Sequence, residues 1–394
     1  MFFPTTKTGE MNFELATATR IIFGAGAIAH IGANVKNLGH HALVVTGKEP
    51  IRAEKLLTQL AASNLRATTF SVSGEPEIST VKTGVALAKD ENCDFVIAIG
   101  GGSVIDAGKA IAAMLTNTGE LLDYLEIIGR GVALPKRSAP FVAIPTTAGT
   151  GAEVTRNAVL ASPEHQVKVS LRSPQMLPRI AIVDPELTYD LPPALTATTG
   201  LDALTQLIEP YVCLRANPIT DGFCEQGIFR AARSLRECIY NGHNKSARED
   251  MALASLCGGL ALANAGLGAA HGFAGPIGGM FPAPHGAVCA ALLPHVMAAN
   301  LRALRERDKN SDALRRYHRI AGMLTGTPNY VADTGVEWVQ KLVAELPIPK
   351  LGAYGIRDAH VAEIVAKAAS ASSMKSNPIA LTPDELAQTL RLAL

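Results

Sequence analysis

Along the first half of the chain, short runs of β-branched and apolar residues alternate with segments whose leucines and alanines recur at helical spacing. HALVVTG (41–47) reads as a buried strand closing on glycine, and RAEKLLTQLAAS (52–63) as the helix that follows it. RATTFSV (66–72) and STVKTGVALAKDEN (79–92) repeat the pair. CDFVIAIGGGS (93–103) is a strand running into a glycine turn, VIDAGKAIAAML resumes as a helix, and PFVAIPTTAGTG (140–151) again leads a strand into a loop of small residues. Strands alternating with helices predict a parallel α/β sheet that binds ligands at the carboxyl ends of its strands.

The pattern changes after RIAIVDPELTYDLPP (179–193). Helical periodicity dominates from there on, divided by turns such as PIPKLGAYG (347–355). The boundary is placed near Leu191–Pro193, giving an α/β domain over 1–190 and an all-helical domain over 191–394. Met251 to Leu301 contains no Asp, Glu, Lys or Arg. Glycines, prolines and three histidines interrupt it, so it lacks the run of about 20 strongly apolar residues that a membrane span needs. It predicts one or two tightly packed helices at the centre of the molecule. In GLDALTQLIEPYV (200–212), Asp202 and Gln206 stand four apart, on one face of a helix.

Composition narrows the partners. The chain has 394 residues, with 36 Lys+Arg against 35 Asp+Glu. That length suffices for two domains with sizeable cores, and the charge balance gives no global field for nucleic acid or an anionic membrane. The six cysteines (93, 213, 224, 238, 257, 289) form no CxxC and no zinc-type spacing, which predicts reduced, mostly buried thiols and a cytoplasmic protein. The N-terminal MFFPTTKTGEMNFELATATR lacks the basic and apolar regions of a secretion signal.

Three features carry candidate chemistry. AIGGGSVIDAGKA brings backbone N–H groups and the positive end of a helix to one place, which suits a pyrophosphate; an ordinary glycine turn is the competing reading. IPTTAGTGAEVT (144–155) offers hydroxyl and N–H donors after the next strand, or else is a polar loop. The two loops would open on one cleft. His271 and His285 flank a Gly/Pro turn in a charge-free region, downstream of the Asp202/Gln206 pair. They read either as metal ligands or as hydrogen-bonded core histidines. His295 reads as structural, and His40 and His41, preceding a strand, as surface residues.

Taken together, GGGSVIDAGKA, PTTAGTGAEVT, VDPELT, GLDALTQLIEPYV, FPAPHG and LLPHVM resemble, in order and separation, the iron-containing (group III) alcohol dehydrogenases. The resemblance runs from about residue 19 to the C-terminus. It implies a dehydroquinate synthase-like fold, in which an N-terminal dinucleotide-binding domain precedes a helical one. A nicotinamide cofactor and a divalent metal, iron or zinc, would lie in the cleft between them, in a homodimer or larger homo-oligomer acting on a small alcohol or aldehyde. Carried over by position, Gly101, Gly102 and Ser103 correspond to the pyrophosphate loop, and Asp106 opens the helix behind it. Thr146 and Thr147 correspond to phosphate and ribose contacts, and Lys168 to a cofactor-side lysine. Asp202, His271 and His285 fall on three of four metal-ligand positions and form the catalytic centre. The fourth, normally histidine, is Gln206, and a further histidine usual near the substrate is Gly275.

These departures shape the expected chemistry. Three ligands and an open position suffice for a catalytic site, while a neutral amide oxygen donates more weakly than imidazole. Weaker metal affinity and tolerance of zinc, manganese or magnesium are therefore expected. Glycine at 47, where many NAD-preferring members carry an acidic residue, together with Lys48 and Arg52, favours NADP over NAD. The leading reading is an NAD(P)-dependent, metal-assisted alcohol dehydrogenase or aldehyde reductase. Beside it stand a metal-independent oxo-acid reductase resembling the maleylacetate reductases, with Arg156 and Lys168 as carboxylate binders, and a nucleotide-binding protein without turnover.

Overall fold

The computed structural model describes residues 12–165, 167–328 and 330–394. Most of the stretch read as lacking a secretion signal lies at 1–11, outside the described residues. The strands are β1 (Arg20–Phe23), β2 (His41–Thr46), β3 (Arg66–Ser71), β4 (Phe95–Gly100), β5 (Phe141–Pro145), β6 (Asn157–Ser162), β7 (Val167–Arg172) and β8 (Ile180–Val183). Six form a sheet in the order β1-β8-β5-β4-β2-β3, every pair parallel, and β6 and β7 form an antiparallel hairpin.

Parallel sheets covered on both faces need strands that are apolar throughout, and every residue of β2, β4 and β5 is buried. Alternate residues serve opposite faces. Leu43, Val45, Val96, Ala98, Phe141 and Ala143 pack with Ile105 and Ile111 of α4 (Gly102–Thr116). Ala42, Val44, Phe95, Ile97, Val142 and Ile144 pack with Leu56 and Leu60 of α2 (Glu54–Ala62), next to the short α1 (Ile31–Val35). The chain leaves β2 toward β3, and returns through α3 (Ile78–Asp90) to β4. From β4 it passes through α4 and α5 (Leu121–Tyr124) to β5, on the other side. Connections from neighbouring strands thus diverge at the carboxyl ends of β2 and β4, where open α/β sheets form their binding crevice.

The rest is helical: α6 (Pro193–Val212), α7 (Pro218–Tyr240), α8 (Lys245–Asn264), α9 (Ala269–Met280), α10 (His285–Arg307), α11 (Asp312–Thr325), α12 (Ala332–Glu345), α13 (Val361–Ser370) and α14 (Pro383–Leu392). An α/β unit with a parallel sheet followed by a helical unit agrees with the sequence reading. Helix α6 is the centre, with Gly200 to Val212 wholly buried among α7, α8 and α10. Its buried polar residues Asp202, Thr205, Gln206 and Glu209 therefore need partners inside the protein.

Two sequence expectations are corrected. Met251–Leu301 forms parts of three helices, because α8 and α9 meet at 93° and a second break separates α9 from α10. The first break is built around Gly268: a Cβ there would lie 2.8 Å from Glu209 Oε1 and 3.0 Å from Asn377 Oδ1. Asn377 Oδ1 also accepts from Ala269 N (3.1 Å) and Asn300 Nδ2 (3.2 Å). Helix α10 is apolar and long enough to resemble a membrane span, yet most of that stretch is buried within the protein. The second correction concerns His41, which is buried as the first residue of β2, its Nε2 2.9 Å from Thr68 Oγ1. Asp94 accepts from the N–H groups of both His40 and His41, drawing the start of the strand inward, while His40 stays exposed.

Candidate active site

At the carboxyl ends of β2, β4 and β5, a cleft is lined by Gly47, Lys48, Arg52, Gly101, Gly102, Ser103, Thr146 and Thr147, with Leu195 and Thr199 of α6 closing the far side. Gly101 caps α4 and no side chain satisfies the first-turn amides, so the positive end of the helix opens on this cleft. Gly102 is needed for fit, since a Cβ would lie 2.7 Å from Thr150 Cγ2. The other two cofactor candidates do not line the cleft. Asp106 accepts from Val159 N (3.0 Å) and faces Lys109 Nζ (3.4 Å), tying α4 to the hairpin. Lys168 Nζ lies 3.2 Å from Glu75 Oε1, and a Cβ on Gly278 of α9 would come within 3.0 Å of it. Lys168 thus bridges the cleft wall and the helix that carries His271. Arg156 lines a separate pocket with Arg215 and Asn264 and is not among the residues that line the cleft.

The second half of the site lies where α6, α9 and α10 meet. Helix α10 approaches α6 closely because residue 286 is glycine: a Cβ there would lie 2.7 Å from Thr198 O. That approach sets His285 beside Asp202. Asp202 Oδ1 lies 3.5 Å from His271 Nε2 and 3.7 Å from His285 Nε2, and the imidazole centroids are 5.4 Å apart. Gln206 Nε2 donates to Asp202 Oδ2 at 3.2 Å. Gly275 borders open space, with nothing within 4 Å of a Cβ placed there.

Two residues that the sequence reading passed over belong to this cluster. Cys289, one turn beyond His285 on α10, brings its Sγ to 3.7 Å from His285 Nε2. Glu209, one of only two charged residues in α6, accepts from His271 Nδ1 (2.6 Å), Gly268 N (2.9 Å) and Ala270 N (2.7 Å). Its signal was its place in GLDALTQLIEPYV, two turns from Asp202 on the same face.

Burial works to raise the Asp202 carboxyl, but His285 and His271 outweigh it and hold the group below its usual range. Burial works against charge on His285 too, yet Cys289 and Asp202 push it up to about 9. His271 is driven well above the ordinary histidine range against its burial, by Cys289, Asp202 and Glu209. A divalent ion fits this chemistry. Asp202 Oδ1, Gln206 Oε1 and His271 Nε2 are buried with no hydrogen-bond partner among the described residues, and Asp202 Oδ1 and His271 Nε2 face each other at 3.5 Å, an arrangement that a cation would satisfy.

Residues 18–185 match the family model described as iron-containing alcohol dehydrogenase, and residues 196–394 match that of the C-terminal part of the Fe-containing alcohol dehydrogenase family. The chain belongs to the iron-containing alcohol dehydrogenases. It is 37% identical over 380 residues to 1,3-propanediol dehydrogenase of Klebsiella pneumoniae, covering 94% of this chain and 96% of that one. It is 34% identical over 379 residues to alcohol dehydrogenase 4 of Schizosaccharomyces pombe, covering 95% and 87%. Among solved structures, a 1,3-propanediol oxidoreductase superposes with a TM-score of 0.90 at 34% identity, covering 98% of this chain and all of that one. A sulfoacetaldehyde reductase from Bifidobacterium kashiwanohense, in complex with NAD+, gives 0.85 at 28% identity, covering 97% and 98%. This iron-containing alcohol dehydrogenase is accordingly an NAD(P)-dependent oxidoreductase acting on CH–OH groups, and its family implies a divalent metal.

Proposed function

We propose that this enzyme interconverts small alcohols and aldehydes using NADP(H) in preference to NAD(H), with a divalent ion held by Asp202, His271 and His285. The observation that carries the reading is the pair of unpartnered buried atoms, Asp202 Oδ1 and His271 Nε2, converging on His285. When bound, the ion lowers the pKa of the alcohol or polarises the aldehyde carbonyl, and the nicotinamide accepts or gives the hydride. The protein's own residues prepare that chemistry. Glu209 accepts the hydrogen bond from His271 Nδ1–H, leaving Nε2 as the nitrogen that would hold the ion once its own proton is displaced. The amides at the start of α4, with Thr146 and Thr147, hold the cofactor phosphates and ribose.

The cofactor preference rests on Gly47, Lys48 and Arg52 at one end of the cleft. Arg52 there pairs with Glu49 at 3.1 Å, an exposed contact of small worth that a ribose phosphate would readily displace. A Cβ at Gly47 meets only Val104 Cγ2, at 3.9 Å, so Gly47→Asp is sterically accommodated and should shift the preference from NADPH toward NADH. The six free cysteines support a cytoplasmic enzyme. Family resemblance supports a homodimer or larger homo-oligomer, which sedimentation would check.

The decisive experiment pairs elemental analysis with NADPH oxidation across aldehydes and oxo acids, before and after chelation. Near-stoichiometric metal and chelator-sensitive aldehyde reduction are expected. Full oxo-acid reduction by the metal-free protein would overturn the proposal.

A further inference from the structure

Asp202, His271, His285 and Cys289 each offer a ligand atom, and all four atoms lie within 4.8 Å of one another. Cys289 is wholly buried on α10, so its sulfur faces the cluster from inside the protein. A tetrahedral ion with bonds of about 2.0–2.1 Å to nitrogen and oxygen, and about 2.3 Å to sulfur, spaces its ligand atoms by roughly 3.3–3.6 Å. The spacings here are 3.5 Å for Asp202–His271, 3.7 Å for Asp202–His285 and 3.7 Å for Cys289–His285. These three of the six spacings are near the tetrahedral values and the others lie within 4.8 Å, so the four atoms would draw together around an ion.

Gln206 meets the cluster through its amide nitrogen. That nitrogen donates to Asp202 Oδ2, and an N–H donor cannot bind a cation. Its Oε1 is buried without a hydrogen-bond partner among the described residues, 3.6 Å from where a Cβ on Gly258 of α8 would lie. What Gln206 does hold is the carboxylate oxygen that points away from the imidazoles.

We propose that Cys289 is the fourth ligand of the divalent ion, binding as a thiolate, and that Gln206 is a positioning residue that orients Asp202 from outside the coordination shell. This inference rests on the metal reading above. Binding displaces the protons that the free site holds on the Cys289 sulfur and on the two metal-facing imidazole nitrogens, releasing them to solvent as the metal bonds form. The ligand set then carries one carboxylate, one thiolate and two neutral imidazoles, which balances a divalent charge. A thiolate also reverses the tolerance expected from glutamine alone: the site should favour zinc or cobalt over magnesium and manganese.

The test uses full-length protein stripped of metal by chelation, then titrated anaerobically with cobalt(II) and followed by absorption. The expected result is a thiolate-to-cobalt charge-transfer band in the near ultraviolet, accompanied by intense visible d–d bands of low-coordinate cobalt. In Cys289→Ala the charge-transfer band should vanish while the d–d bands remain, and zinc affinity should fall by about tenfold or more. Should Cys289→Ala not fold, Cys289→Ser serves the same purpose. Gln206→Ala should keep the charge-transfer band. Visible d–d bands without charge transfer in the unmodified protein would overturn the thiolate ligand and leave the metal reading standing. Absence of any cobalt spectrum would overturn both. Loss of the charge-transfer band in Gln206→Ala, with d–d bands retained, would overturn the role assigned to Gln206.

Discussion

Replacing Glu209 with glutamine removes one charge and almost no volume, and it interrogates the support beneath His271. Oε2 accepts from both His271 Nδ1 (2.6 Å) and Gly268 N (2.9 Å), and Oε1 accepts from Ala270 N (2.7 Å). An amide can present only one oxygen. With its NH2 at the Oε2 position it would confront two donors, so the variant will place NH2 against Ala270 N instead. That leaves two buried donors unpaired, the Ala270 N–H and the new NH2, at a cost of about 1–3 kcal/mol each, and it removes the charge assistance from the remaining two bonds. Urea denaturation should register a loss of that order. Metal binding should weaken separately, because His271 loses its anionic acceptor. Outer-shell changes of this kind lower affinity roughly 10–100-fold. Competition with a chromophoric zinc chelator measures that directly. Zinc affinity within about twofold of the parent, alongside the stability loss, would refute the role given to Glu209 and reduce it to a brace for the α8–α9 break.

Three further outcomes can be measured. Burial pushes Glu153 up to about 7 from an ordinary 4.5, and its Oε2 has no partner among the described residues. The folded state then holds this proton more tightly than the unfolded one, so stability is fully present below the unfolded pKa and declines as pH rises through about 7, by about 3 kcal/mol. The stability gap between Glu153→Gln and the parent should therefore widen from about pH 5 to about pH 8; parallel pH profiles would sink the idea. Gly286→Ala should cost about 1–3 kcal/mol in overpacking against Thr198 O, and should weaken zinc binding by moving His285 away from Asp202; unchanged zinc affinity would refute the close-approach account. Gly275→His should fold with stability within about 1 kcal/mol of the parent, because its side chain enters open space, and a larger loss by urea denaturation would contradict that reading.

The α/β half was legible because parallel strands buried on both faces leave continuous apolar runs, as in HALVVT and FVIAIG, closed by glycine or small residues. Helical periodicity marked α6 and its Asp202/Gln206 face for the same reason. Cys289 was not legible as a site residue, and Glu209 only as a charge on the face of Asp202, since the partners of both lie across helices. Glu209 meets His271 62 positions away, which no local spacing encodes. Cys289 read as a small buried hydrophobe, and it is buried; only the approach of α10 to α6 shows what its sulfur faces. The break between α8 and α9 escaped for a related reason, whereas the Gly/Pro turn between His271 and His285 was legible. Gly268 and its neighbours form a turn because Glu209 and Asn377 occupy the space around them, and in the sequence they read like other small residues of a packed helix.

The anchoring of α9 by Asn377 bears on when this protein can acquire its ion during synthesis. Asn377 Oδ1 holds Ala269 N, two residues before His271, from 108 positions further along the chain. A nascent polypeptide that has already folded its sheet and α6 still lacks that anchor. Contacts of such long sequence separation form late. Until residue 377 has been made and docked, the turn before His271 lacks this acceptor, so a chain cut before Asn377 should bind zinc more weakly than the full chain.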